Sequence, residues 1–173
     1  MDKEQILDIF YRRRSIRKFK PGVRISDDQM ETILRAAMAA PSANNRQPWH
    51  FIVVDDREKM QKITEIHPYS SMLNTAPACI IVLGETPKEG GSAYWAQDCA
   101  AATENMLLAI ANLGLGGVWL GVHPREKREQ DLREIFNIPK DMTPLCVVAV
   151  GVPAEEKGKV DRFDPTRVYT NSM

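Results

Sequence analysis

The residues best suited to chemistry near the start of the chain are a run of basic side chains. Six of the nine positions from Arg12 to Lys20 are Arg or Lys. Such side chains bind anions, and three ligands fit the run: a nucleic acid, a membrane surface, or one phosphate group in a pocket. The charge of the whole chain helps to choose among them.

The overall charge balance favours the small ligand. The 173 residues contain 23 Lys and Arg and 23 Asp and Glu, so the formal net charge is zero. A general nucleic-acid-binding protein usually has a basic excess over its whole domain, because its affinity comes from neutralising many phosphates. The basic run is therefore a local feature, and within it Lys18 and Lys20 are expected to be merely solvated.

Common nucleotide, metal and nucleophile motifs are missing from the sequence. There is no G-x-x-x-x-G-K-[ST] loop, and the segment GLGGVWLG has Trp119 where a dinucleotide fingerprint has its third glycine. His50, His67 and His123 lie in separate segments without metal-ligand spacing. No segment has the pattern of a nucleophile elbow. The sequence therefore predicts neither a Rossmann crevice nor acid–base hydrolysis.

A second polar segment, APSANNRQPWHFIV, begins at Ala40, after a predicted helix, and runs directly into a predicted strand. By itself it could be an ordinary helix-to-strand connection, just as the basic run could be a solvated surface. The two segments occur together, about 25 residues apart, and a hydrophobic core requires neither of them. Their joint occurrence favours a functional interpretation.

Hydrophobic periodicity predicts the elements that position these segments. Residues 2–14 form a helix with Ile6, Ile9 and Phe10 toward a core, and Ser26 with Gln29 forms a capping box for a helix that ends before Pro41. Further helices are predicted at 56–66, 94–113 and 124–136, and strands at 49–54, 78–84, 116–122 and 145–151. Alternating strands and helices by themselves favour a parallel, doubly wound sheet.

Two other regions limit the organisation of the molecule. The 94–113 helix is apolar nearly all round, which indicates a central helix or one in an interface. The segment from about 154 to 173 is polar and is either disordered or an arm laid on another surface.

Cys79, Cys99 and Cys146 are far apart within apolar runs and are expected to be reduced core residues. With no signal peptide or membrane-spanning segment, a single cytoplasmic domain over 1–173 is expected.

The sequence resembles the FMN-dependent nitroreductases. The matching segments are RRSIRKF, PSANNRQPWHFIVV, the helix within YWAQDCAAATENMLLAIANLGLG, then GVWLG and VAVGVP, in this order over nearly the whole chain. The resemblance implies an α+β fold, a three-layer sandwich with a mixed, mainly antiparallel central sheet. It also implies an intertwined homodimer with the C-terminal arm, about 154–173, on the partner subunit. The parallel sheet expected from alternation conflicts with this implication.

The resemblance also implies roles for particular residues. The phosphate of FMN would be held by Arg13, Arg14 and Ser15, with Lys159 and Arg162 as a second clamp, and Arg17 would reach the ribityl chain or the pyrimidine edge of the ring. The loop of Pro41, Ser42, Ala43 and Asn45, assisted by Gln47, would reach a flavin across the dimer interface. The backbone of Leu120 and Gly121 would lie near flavin N5, with no side chain acting as a catalytic group.

The implied activity is an FMN-dependent NAD(P)H oxidoreductase acting on nitroaromatic, quinone or similar acceptors. Hydride would pass through flavin N5 in a ping-pong mechanism that uses one pocket twice. The alternatives are a specialised relative (a reductive dehalogenase or a flavin-consuming enzyme), a low-turnover FMN-binding protein and, least favoured by the neutral charge, a nucleic-acid module. The segment HPYSSMLNTAP differs from the corresponding segment of some family members, which has an Asn and a Lys that contact the flavin. Tyr69, in this segment, is one candidate for a wall of the pocket.

Overall fold

A computed structural model describes residues 3–86 and 93–173, with side chains from Leu7 onward. In the described residues, five α-helices, four strands and three short 3₁₀ turns follow one another along the chain. The helices are α1 (Lys3–Arg12), α2 (Asp27–Met38), α3 (Arg57–Ile66), α4 (Trp95–Asn112) and α5 (Glu126–Phe136). The strands are β1 (Trp49–Val54), β2 (Ala78–Glu85), β3 (Gly116–Gly121) and β4 (Met142–Gly151), and the turns are Ala43–Asn45, Ser71–Asn74 and Pro165–Arg167.

The sheet is antiparallel, and the parallel topology expected from alternating strands and helices is wrong. The strand order is β1-β2-β4-β3, and each neighbouring pair runs antiparallel. Long apolar strands suggested a parallel sheet because such strands are usually buried on both faces. Here the two central strands, β2 and β4, are buried on both faces within an antiparallel sheet. An apolar run in the sequence therefore indicates that a strand is buried on both faces, but it does not indicate the direction of the strand.

Helices cover both faces of this sheet. One hydrophobic cluster joins α3 and α5 to the face with Ile81, Leu120 and Val147, and the other joins α2 and α4 to the face with Ile80 and Val148. The structure therefore has three layers, as the resemblance implied. The capping box predicted at the start of α2 is confirmed, because Ser26 Oγ accepts the backbone N–H of Gln29 at 3.2 Å and the Gln29 side chain accepts the N–H of Ser26.

The chain after α1 runs along the end of the sheet. Ser15 forms a parallel bridge with Gly117 of β3, and Phe19 forms an antiparallel bridge with Pro153, just beyond β4. A Cβ on Gly116 would lie 2.7 Å from Ile16 Cγ2, so a bare glycine is what allows this close approach. The paired glycines of GLGGVWLG thus fix the basic segment against β3.

Part of the C-terminal segment lies on α1 of its own chain. The Val160 N–H donates to the Tyr11 carbonyl at 3.1 Å, and the Lys159 ammonium pairs with Asp8. Phe10, which was expected to face the core, is 53% exposed. The Ile6 side chain lies outside the described residues. The exposed face of α1 and the segment beside it are therefore available for contact with another surface.

The three cysteines are buried and free, which confirms that they are core residues. Burial raises the pKa of Cys79 and of Cys99 to about 12, and it also raises that of Cys146. No helix in residues 3–86 and 93–173 combines the length and apolar character that crossing a bilayer requires.

Candidate active site

The basic segment and the start of the C-terminal segment enclose a small cavity of about 170 Å³. Arg13, Arg14 and Lys157 line it together with apolar atoms of Leu107 and Ala111 of α4. The Lys157 ammonium donates to the Ser15 carbonyl at 2.6 Å, and the Arg14 guanidinium donates to the Gly158 carbonyl. Arg12 lines the cavity as well, so four cationic residues converge here from the N-terminal and C-terminal parts of the chain.

Two glutamates hold this cluster in place. Glu155 accepts the backbone N–H groups of Arg17 and Lys18 at 2.5 and 3.2 Å, and its carboxylate lies 3.4 Å from the Lys157 ammonium. The N–H of Arg17 is the main reason that the pKa of Glu155 is lowered, and the nearby charge of Lys157 lowers it further. Glu104 on α4 lies 3.5 Å from the Arg13 guanidinium. The cluster is thus connected both to the segment that follows β4 and to α4.

The loop between α2 and β1 has an unusual backbone. Asn44, Asn45 and Gln47 have φ of +52°, +53° and +50°, a left-handed conformation that asparagine adopts more readily than most residues. Ser42 Oγ accepts the Gln47 N–H at 2.9 Å, and the Gln47 side-chain amide donates to Asn45 Oδ1 at 2.9 Å. Gln47 therefore helps to shape the loop, and its hydrogen bond fixes the orientation of the Asn45 amide.

Asp98 anchors this loop to the first turn of α4. Its Oδ1 accepts the Ala43 N–H at 3.0 Å, while its Oδ2 is buried and has no hydrogen-bond partner among the described residues. Asp98 is 6% exposed and is the charged side chain among the buried residues of α4. It lines a second, open cavity of about 350 Å³ beside Pro41, Ser42 and Ala43.

β3 ends in a bare and accessible residue, Gly121. A Cβ built on it would meet no heavy atom within 4 Å. Its carbonyl accepts hydrogen bonds from His67 Nε2 at 2.9 Å and from the Arg128 guanidinium at 3.0 Å. The Leu120 side chain before it is 4% exposed and packs in the core, so only the backbone of Leu120 can contribute to a site at this place.

The two cavities share no residue and lie along the same helix. The first cavity, beside the basic segment, is called the cationic cavity and touches Leu107 and Ala111. The second, beside the Pro41–Gln47 loop, is called the loop cavity and touches Asp98 and Ala101. Asp98 and Leu107 are nine positions apart, which at 1.5 Å per residue is roughly 13 Å along the axis. β3 runs beside them from Gly117, at the basic segment, to Gly121. This arrangement suits an elongated ligand with an anionic end, or two ligands that meet along the strand.

Comparison with known proteins identifies the family. The model of the nitroreductase family matches residues 11–67 and 66–152. This chain belongs to the nitroreductase family. It is accordingly an oxidoreductase of that family, and the resemblance seen in its motifs is confirmed.

Relatives and solved structures match this chain over nearly its whole length. A protein of Archaeoglobus fulgidus with the provisional name NADH dehydrogenase/NAD(P)H nitroreductase is 49% identical over 96% of this chain and 97% of its own. A structure from Clostridium acetobutylicum, provisionally named an NADH oxidase, is 46% identical with a TM-score of 0.90 and covers 96% and 100% of the two chains. A structure from Desulfovibrio desulfuricans, provisionally named a nitroreductase and solved in complex with FMN, is 26% identical with a TM-score of 0.82 and covers 99% of both.

The structure places the predicted site residues in three groups. Arg13 and Arg14 line the cationic cavity, and the carbonyl of Ser15 accepts a hydrogen bond from Lys157, which lines it too. Pro41, Ser42, Ala43, Asn45 and Gln47 form the loop at the other end of α4. Leu120 and Gly121 end β3. Arg17, Lys159 and Arg162 are exposed, and Lys159 pairs with Asp8 outside the cationic cavity. The roles expected for all of these residues stay predictions.

Sequence reasoning missed four residues that contact these groups. Lys157 occupies the cavity where Lys159 was expected, because the polar tail has no periodicity that could fix its register. Asp98 could have been noticed as a lone acidic residue in an apolar helix. His67 reaches Gly121 from a segment distant in sequence, and Arg128 reaches it from the helix that follows β3, so no local pattern could have shown that the two meet there.

Proposed function

We propose that this member of the nitroreductase family is an FMN-dependent NAD(P)H oxidoreductase that reduces nitroaromatic, quinone or similar acceptors by a ping-pong mechanism. Bound FMN would supply the redox chemistry, taking hydride from the nicotinamide and later giving it to an acceptor in the same place. The observation that carries the proposal is the convergence of Arg13, Arg14 and Lys157 on one small cavity. The FMN complex of the Desulfovibrio relative supports the choice of cofactor.

The residues at the cationic cavity fit a phosphate dianion. Arg offers a planar fork of donors to phosphate oxygens, and Lys adds a compact charge. Arg13, Arg14 and Lys157 would hold the phosphate together with the hydroxyl of Ser15. Glu104 pairs with Arg13 and Glu155 pairs with Lys157, and these ion pairs keep the two cationic side chains ordered before the ligand binds. Arg17 would approach the rest of the cofactor, and Lys159 and Arg162 are proposed as additional phosphate contacts.

The open end of β3 fits the reacting part of the cofactor. Gly121 presents backbone without a side chain, so a planar ring system can approach it closely. The buried position of Leu120 keeps its side chain out of the way. The reaction needs no side chain there as a nucleophile. The protein's role at Gly121 would therefore be to orient two stacked rings and exclude water.

We further propose that the working unit is a homodimer in which the Pro41–Gln47 loop serves the cofactor bound mainly by the partner. The loop lies about 13 Å along α4 from the cationic cavity of its own chain. Large apolar side chains that a second copy could cover are exposed on α1, at the start of α4 and on the C-terminal segment. They are Leu7, Phe10, Tyr11, Tyr94, Phe163, Val168 and Tyr169.

The proposal is tested by mixing the purified protein with FMN and then with NADH or NADPH in the absence of oxygen. Bleaching of the visible flavin absorbance, reversed by a quinone or a nitroaromatic, is expected. Binding of FMN without bleaching would indicate a flavin-binding protein with little turnover and would contradict the proposal. So would a failure to bind FMN at all.

The assignment of the phosphate site has its own test. Arg14→Ala and Lys157→Ala should each weaken FMN binding by about tenfold to a hundredfold, since a charge-assisted hydrogen bond contributes roughly 1.5–3 kcal/mol. Arg35→Ala is the matched control, because Arg35 pairs with Glu31 on the surface of α2 and does not line the cavity. Equal affinities for all three variants would remove these residues from the phosphate site.

A further inference from the structure

The peptide that follows Gly121 is held at both of its polar atoms although Gly121 itself is exposed. Its carbonyl oxygen accepts from His67 Nε2 at 2.9 Å and from Arg128 at 3.0 Å, and the N–H of the same peptide, on Val122, donates to the Leu145 carbonyl at 3.1 Å. A glycine at a strand end would otherwise allow this peptide to rotate freely. Three hydrogen bonds therefore fix the exposed end of β3, which a ligand can approach.

His67 is itself held in one orientation. Its Nδ1 accepts the Tyr69 N–H at 3.3 Å, so the proton lies on Nε2, which donates to Gly121. The side chain is 3% exposed, and its backbone N–H caps α3 by donating to the Ile63 carbonyl at 3.0 Å. The end of α3 thus delivers a fixed donor to the end of β3.

Arg128 reaches the same oxygen from the first turn of α5. One donor would be enough to satisfy a strand-end carbonyl, and this carbonyl has two, one of them a cation. The two donors come from different helices that cover the same face of the sheet. Such convergence on a bare backbone position is typical of a site whose geometry must be set before the ligand arrives.

We propose that His67 and Arg128 are positioning residues for the redox reaction at Gly121. They act through the Gly121 carbonyl by fixing the backbone against which the reacting rings stack, and neither touches the reacting atoms. This inference rests on the proposed function, since it needs the flavin ring to lie at Gly121. It also assigns a use to the segment beginning HPYSS, in which the sequence resemblance was weakest.

The hydrogen bonds from His67 and Arg128 to the Gly121 carbonyl, called the Gly121 clamp or simply the clamp below, lead to predictions for four variants. His67→Leu and Arg128→Met should lower the first-order rate of anaerobic flavin bleaching at saturating NADH or NADPH by about tenfold to a hundredfold, the usual effect of a misplacement of about 1 Å. Their affinity for FMN should stay within about threefold of the wild type, because the phosphate contacts are unchanged. His67→Gln should recover most of the rate, since an amide can donate to Gly121 and accept from Tyr69. His50→Leu is the control, because β1 and β3 are opposite edges of the sheet.

A second measurement tests the clamp without cofactor. Amide hydrogen exchange at Val122 in the flavin-free protein should be at least about tenfold faster in His67→Leu and Arg128→Met than in the wild type, and unchanged in His50→Leu. If His67→Leu does not fold, Arg128→Met and His67→Gln still give both measurements.

The outcomes separate the inference from the function on which it rests. Bleaching of the wild type tests the proposed function, whereas the ratio of variant to wild-type rates tests the clamp. A wild-type rate in Arg128→Met with normal FMN binding would overturn the inference and leave the proposed function standing. Faster exchange at Val122 with an unchanged bleaching rate would overturn it as well, because the clamp would then be structural only.

Discussion

Replacing Gly121 by Ala should make the protein slightly more stable and much less active. A Cβ at this position meets no heavy atom within 4 Å, and Gly121 is not in the left-handed region, so the alanine introduces neither a clash nor backbone strain. Alanine also reduces the conformational freedom of the unfolded chain, which stabilises a protein by about 0.4–1 kcal/mol. For a chain of this length, that corresponds to a rise in melting temperature of about 1–4 °C.

The same methyl group would stand on the face where the rings are proposed to stack. A displacement of about 1 Å lowers the rate of a well-oriented reaction by about a hundredfold, so kcat/KM should fall at least tenfold. Thermal unfolding and steady-state reduction of a quinone, measured on one preparation, test both parts. Gly84→Ala is the contrast, because its Cβ would lie 2.3 Å from Trp95 Cε3 and should lower stability. A stable Gly121→Ala variant with full activity would refute the placement of the rings at Gly121.

Two further predictions concern the residues that hold the site. Asp98→Ala should weaken FMN binding about tenfold by freeing the Ala43 N–H, whereas Asp98→Asn, whose amide oxygen can still accept, should bind nearly as the wild type does. Asn105→Ala, which removes a hydrogen bond from α4 to the backbone of α2 and not to the loop, should leave FMN binding unchanged. In the folded state the pKa of Glu155 lies below its usual value of 4.5. The wild type should therefore have a larger free energy of unfolding than Glu155→Gln above that pH, and this difference should be lost as the pH falls below it. Urea unfolding of both proteins between about pH 7 and pH 3 measures this, and a constant difference over that range would contradict it.

Some parts of the fold follow directly from the sequence and others do not. The capping box at Ser26 and the apolar strands at 49–54 and 78–84 have local causes, and they occur close to where periodicity predicts them. Strand direction has no such local cause, because a strand buried on both faces is apolar in either orientation. Only the resemblance of several motifs in order indicated an antiparallel sheet.

The candidate site shows the same division. Arg13, Arg14 and Ser15 were noticeable in the sequence because the basic run stands out in a neutral chain and matches a family motif, and their role toward a phosphate stays a prediction. Lys157 was not, since its place in the cavity depends on how the segment after β4 folds back on the N-terminal segment. His67 and Arg128 meet at Gly121 only because α3 and α5 cover the same face of the sheet. Contacts of this kind are set by the packing of distant elements.

The most direct test of the central claim is complementation between two inactive variants. One variant carries Arg13→Ala and Arg14→Ala at the phosphate site, and the other carries Ala43→Phe on the loop. If each site combines the basic cluster of one subunit with the loop of the other, random mixing should restore about one quarter of the wild-type reductase activity, because half of the dimers are mixed and one of their two sites is intact. A mixture no more active than its separate components would contradict a site shared between two copies of this chain.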